Sequence, residues 1–139
     1  AFDSARGVTV LNGGFSPDNP NAVKETWEWD GKVWTLRDAE GPVRDGSAMV
    51  YSDHHNACIL FGGAKASTKY NETWAYDGNA WTLLDTPIAP PKRTGHVMAY
   101  DSDRGVIVMF GGTNAFGDPI FDTWEYVCAP ACYPTSTAT

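Results

Sequence analysis

The chain has 139 residues, 42% of them apolar, with a formal net charge of −7 at pH 7 and a sequence pI near 4.7. This balance supports a packed core and excludes wholesale disorder, and the acidic surface argues against nucleic acid and anionic lipid as partners. No apolar run approaches the roughly 18 residues of a membrane-spanning helix, so no membrane span is expected.

Fourteen Gly, nine Pro and six each of Trp, Tyr and Phe point to many short elements joined by turns and packed through large rings. Residues 1–7 run from an aromatic through a polar turn to Gly7, and Tyr51 to Asn56 and Tyr100 to Gly105 repeat the pattern. Gly and Asn take positive φ most readily, so positions 7, 56 and 105 are expected to be left-handed. Arg44 to Met49 and Arg93 to Met98 lead into the later copies, and the first copy lacks this lead-in. The chain is therefore expected to begin within a strand.

An apolar run ending in two glycines follows each turn. Val8 to Asn12 precedes Gly13-Gly14, Ala57 to Phe61 precedes Gly62-Gly63, and Val106 to Phe110 precedes Gly111-Gly112. The glycine pairs stand 49 residues apart both times. Both alternating faces of the later runs are apolar, which predicts strands buried on two sides. Asn12 stands where the other copies have Phe, so the first unit is expected to be looser or partly exposed. The glycine pairs are expected to let backbone pack closely near crowded inner strands.

Loops of differing length come next, over 15–25, 64–72 and 113–121. Length variation at one point of a repeat marks surface loops. Thr26-Trp27, Thr73-Trp74 and Thr123-Trp124 then open strands with alternating aromatics. Asp30-Gly31 and Asp77-Gly78 signal hairpins into fourth strands around Trp34 and Trp81. In the third unit Val127-Cys128 replaces Asp-Gly, and no fourth strand is legible. The units are 1–40, 41–90 and 91–128, and the Pro-, Ser- and Thr-rich 129–139 is expected to be a tail.

Four strands per unit resemble a kelch repeat, on Gly62-Gly63, Thr73-Trp74, Tyr76-Asp77-Gly78, Trp81, Arg93-x-Gly95-His96, Tyr100 and their partners in the other units. The bacterial type similar to the galactose-oxidase central domain is nearest. The resemblance covers residues 1–126. It implies an all-β fold, a partial β-propeller of about three four-stranded blades with the first and last incomplete. Gly13, Gly14, Gly62, Gly63, Gly111 and Gly112 would then be structural, and Trp27, Trp74 and Trp124 would fill the wedges between blades. Propellers close with four blades or more. The chain is then a segment of a longer propeller, a unit that completes a ring with partner chains or further copies of itself, or an open solenoid.

No catalytic residues, metal set or cofactor are expected. His54-His55 aligns with a solvated turn, and His96 is expected to be a hydrogen-bonded structural residue. Cys58 lies in an apolar run and is expected to be buried. Cys128 and Cys132 are spaced for a short-loop disulfide or half a metal site, and the disulfide would place the protein in an extracellular or periplasmic compartment. Asp18, Asn19 and Asn21 suit an ordinary turn better than a calcium loop. The resemblance carries over the fold and not the copper site of galactose oxidase. In a four-stranded meander the loops after the second strand share one face with the unit-to-unit connections. Phe15, Tyr70, Phe116, Arg44 and Arg93 stand there as candidate binding residues. The expected function is a non-catalytic binding or scaffold module for a protein or carbohydrate ligand. The alternatives are a structural subunit of an assembled ring and, behind it, part of a copper enzyme.

Overall fold

A computed structural model describes residues 1–14, 23–128 and 132–137, with side chains described for all of these except Cys128 and 132–137. The described residues form strands and turns without a helix. The first sheet is β1 (Phe2–Asp3), β2 (Val8–Asn12), β3 (Thr26–Trp29) and β4 (Trp34–Arg37) in that order. The second is β5 (Ala48–Ser52), β6 (Ala57–Phe61), β9 (Thr73–Tyr76) and β10 (Trp81–Leu84). A small ribbon, β7 (Ala64–Lys65) with β8 (Thr68–Lys69), projects from the β6–β9 connection. The third sheet is β11 (Val97–Asp101), β12 (Val106–Phe110), β13 (Thr123–Cys128) and β14 (Cys132–Thr137).

Each sheet is an antiparallel meander in the same register. Thr9 opposes Trp29, Cys58 opposes Tyr76, and Ile107 opposes Tyr126. The first strands are neighbours, with β5 touching both β1 and β11. One core cluster joins Val10 and Ala39 of the first unit to Cys58 and Tyr76 of the second. Another joins Ala57 and Ile59 to Ile107 and Tyr126 of the third. The second sheet therefore lies between the other two, and every residue of β6 is buried, as expected for a strand apolar on both faces. In β2 only Val10 is buried, because among the described residues one face of the first sheet has no neighbour against it.

The left-handed positions fall where expected, at Gly7, Asn56 and Gly105 with φ of 69°, 49° and 66°. The Asp-Gly hairpins form as well. The Asp30 carboxylate accepts the Lys32 and Val33 amides at 2.8 Å, and Asp77 does the same for Asn79 and Ala80 at 2.8 and 2.9 Å. Those bonds hold both carboxyls below their ordinary pKa.

The end of the third unit differs from the sequence expectation. The stretch read as a tail contributes β14, which pairs with β13 from Thr123↔Thr137 to Cys128↔Cys132, so the third sheet has its fourth strand. Ser and Thr dilute the apolar alternation that usually reveals a strand. Pro134 also argued against one, yet proline is tolerated on a sheet edge, where one side of the strand needs no ladder bond, and the β-branched Thr135 and Thr137 suit a pleated strand.

Candidate functional site

The loops after β2 and β6 meet the connections into the following sheets, and the loop after β12 pairs with the connection into its own sheet through Thr94 and Thr113. The Gly14 amide donates to the Arg44 carbonyl at 3.0 Å, and the Gly63 amide to the Arg93 carbonyl at 2.9 Å. Gly62 has φ +65°, and a Cβ there would lie 2.8 Å from the Arg93 carbonyl oxygen. A bare backbone is therefore required for the next unit's connection to lie this close.

The arginine side chains turn inward. Arg93 is wholly buried and grips Asp122 through two bonds of 2.6 and 2.9 Å, while also donating to the Gly111 carbonyl at 3.0 Å and the Pro91 carbonyl at 3.2 Å. Asp122 in turn accepts the Trp124 indole N–H at 2.8 Å. The Arg93 bond, against the opposing effect of burial, holds the Asp122 carboxyl below its ordinary pKa. The second unit repeats the design: Arg44 pairs with Glu72, and Glu72 accepts the Trp74 indole at 3.1 Å. Arg44 also lies over the Tyr70 ring, 3.3 Å from its centroid. In the first unit Glu25 accepts the Trp27 indole at 2.9 Å.

This places two of the candidate binding residues. Arg44 and Arg93 are buried braces inside the loop end and are not presented to solvent. Tyr70 is half-buried beneath Arg44. Phe15 lies outside the described residues, as do Asp18, Asn19 and Asn21. The half-buried Trp27, Trp74 and Trp124 serve the acids that precede their Thr-Trp pairs. Those acids went unremarked in the sequence, although Glu25, Glu72 and Asp122 stand in register one residue before each pair.

Among the described members of the set Phe116 is the exposed one, at 90%. Its loop is held in shape by Asn114, whose side-chain oxygen accepts the Phe116 and Asp118 amides at 2.9 Å each. The Asn114 amide donates to the Asp118 carbonyl at 2.9 Å. Lys69, from the ribbon of the second sheet, reaches across to donate to Thr113 Oγ1 at 2.9 Å and to the Asn114 carbonyl. Phe121 flanks the same loop and is also exposed.

The remaining candidates are structural. His96 is buried, and among the described residues neither ring nitrogen meets a hydrogen-bond partner of good geometry, contrary to the expected bonded histidine. Burial first, then the nearby Arg93 charge, drives its pKa down to about 4, with the Phe61 backbone pulling weakly the other way. His55 Nδ1 lies 2.7 Å from Ser52 Oγ and the ring packs on Tyr126, but Ser52 is fully buried and out of reach of a substrate. Cys58 is fully buried, and burial pushes its thiol up to about 11, far from a reactive thiolate. Cys128 and Cys132 oppose each other in the β13–β14 register, and their side chains lie outside the described residues. Among the described residues no three His, Cys, Asp or Glu side chains gather to hold a metal. No family model and no curated protein matches the chain.

Proposed function

We propose that this chain is a set of kelch-type propeller blades, of the type nearest the galactose-oxidase central domain, acting as a non-catalytic binding scaffold in an extracellular or periplasmic setting. The loop end is its working face, and a protein or carbohydrate surface is its ligand. The observation that carries this reading is Phe116: a fully presented aromatic on a loop that is braced from within by Asn114 and from the neighbouring sheet by Lys69. An aromatic on a rigid loop loses little conformational entropy on binding, which is the property of an interface anchor.

The test is selection of binders from a random-peptide display library and from a glycan array, followed by titration against Phe116→Ser. Truncating an aromatic anchor removes about 2 kcal/mol, or roughly 30-fold in affinity, with thermal melting unchanged. Binders that are indifferent to Phe116→Ser would remove the loop end from the reading.

A further inference from the structure

The interface between the first and second sheets has a polar plug at its edge. Arg6 bonds Asp3 at 2.7 Å and Glu28 at 2.5 Å, and these bonds, outweighing its burial, raise its pKa. Tyr76 of the second sheet completes the plug. Its hydroxyl donates to Glu28 at 3.0 Å, and the Arg6 guanidinium sits 5.5 Å from its ring centroid. Tyr76 is itself backed by Trp81, with ring centroids 5.1 Å apart. Between the second and third sheets, His55 and Tyr126 occupy the corresponding places.

Each outer sheet carries one half of this same joint on an open face. The third sheet repeats the acid–Arg–acid group: Arg104 bonds Asp101 and Glu125, both at 2.7 Å, and the Arg104 side chain is half exposed. Farther along that face lie Val97 and Phe110, and Phe110 is 48% exposed where its counterpart Phe61 is 4%. The first sheet repeats the aromatic half. Trp29 and Trp34, with centroids 5.5 Å apart, hold the positions of Tyr76 and Trp81. Phe2, Leu11 and Leu36 share their face, and Leu11 is 50% exposed where its counterpart Leu60 is 1%.

We infer that these faces dock on each other between two copies of this chain, head to tail, with Trp29 of one copy seated over Arg104 and beside Glu125 of the next. A second copy is the occupant because it brings both complementary halves at once: an aromatic pair for a half-exposed guanidinium, and an apolar face for an apolar face. Two copies satisfy both joints, since sheet one of each meets sheet three of the other. The joint uses none of the residues of the Phe116 loop.

Light scattering across 5–200 µM tests it with the 139-residue chain and two variants that each block one face, Leu11→Arg and Val97→Arg. Wild type should rise with concentration from the monomer mass of 15.1 kDa to twice that value. Each variant alone should stay monomeric, and an equimolar mixture of the two should recover a dimer through the one intact joint. Circular dichroism and melting of each variant establish that it is folded. A monomeric wild type at the highest concentration would overturn the inference. So would a folded variant that still associates alone, or a mixture of folded variants that stays monomeric.

Discussion

His96 should make the protein acid-sensitive in a window where its carboxylates are still ionised. The histidine is buried and neutral, with its pKa lowered from 6.5 to about 4. In the unfolded chain it takes up a proton below pH 6.5; in the folded chain it does not until about pH 4. The unfolded state thus binds more protons between these values, and stability falls as pH is lowered. The contribution is fully present above pH 6.5 and lost progressively down to pH 4. By pH 5 the linkage amounts to about 2 kcal/mol, or roughly 8 °C of melting temperature for a domain of this size. The assay is calorimetric melting from pH 7.5 to 5, comparing wild type with His96→Ser, serine being the residue at the equivalent Ser47. The variant should melt lower at pH 7.5, from the space it leaves, but with a flatter pH profile. Comparing slopes cancels that constant loss, and His55, whose pKa is also lowered by burial, contributes equally to both proteins. Asp122 contributes stability that is lost only as pH falls further, because its folded pKa is below the ordinary carboxylate value. Parallel profiles for the two proteins would refute the reasoning.

The glycine pairs and the buried arginine give two further expectations. Gly62→Val adds left-handed strain to a 2.8 Å approach on the Arg93 carbonyl, together roughly 4 kcal/mol, whereas Gly111→Val meets its nearest atom at 3.4 Å and should cost only about 2 kcal/mol, mostly strain. Urea unfolding of the pair checks this, and equal losses would show that the close approach at Gly62 is immaterial. Arg93→Met should destabilise by about 3 kcal/mol, the low end for breaking a buried pair, because water still reaches part of Asp122. A loss below about 1 kcal/mol in the same assay would show that Arg93 is not the brace described.

The local backbone was legible because it is decided by nearby residues. Position 56 was read as left-handed from Asn aligning with Gly7 and Gly105, and its φ is 49°. What the sequence concealed depends on neighbours. Leu11 and Leu60 sit in matching apolar runs, yet one is open and the other sealed, since burial is conferred by the adjoining sheet. Arg44 and Arg93 were candidate anchors because they end the unit-to-unit connections on the loop face. Their partners Glu72 and Asp122 lie 28 and 29 residues away, beyond any local pattern. The recurrence of an acid before each Thr-Trp was a usable signal for them. The edge strand β14 was hidden by the rule that proline breaks strands, which holds for central strands more than for edges.

The burial of all five residues of β6 also determines how the molecule comes apart. In a stack of sheets that touch only their neighbours, stability resides in the joints as much as in the units. The middle sheet shares in two joints within the chain and each outer sheet in one. Fraying therefore starts at the flanks, where a sheet can detach by giving up a single joint, and the amides of β6, paired to β5 and β9 within the middle sheet, exchange last.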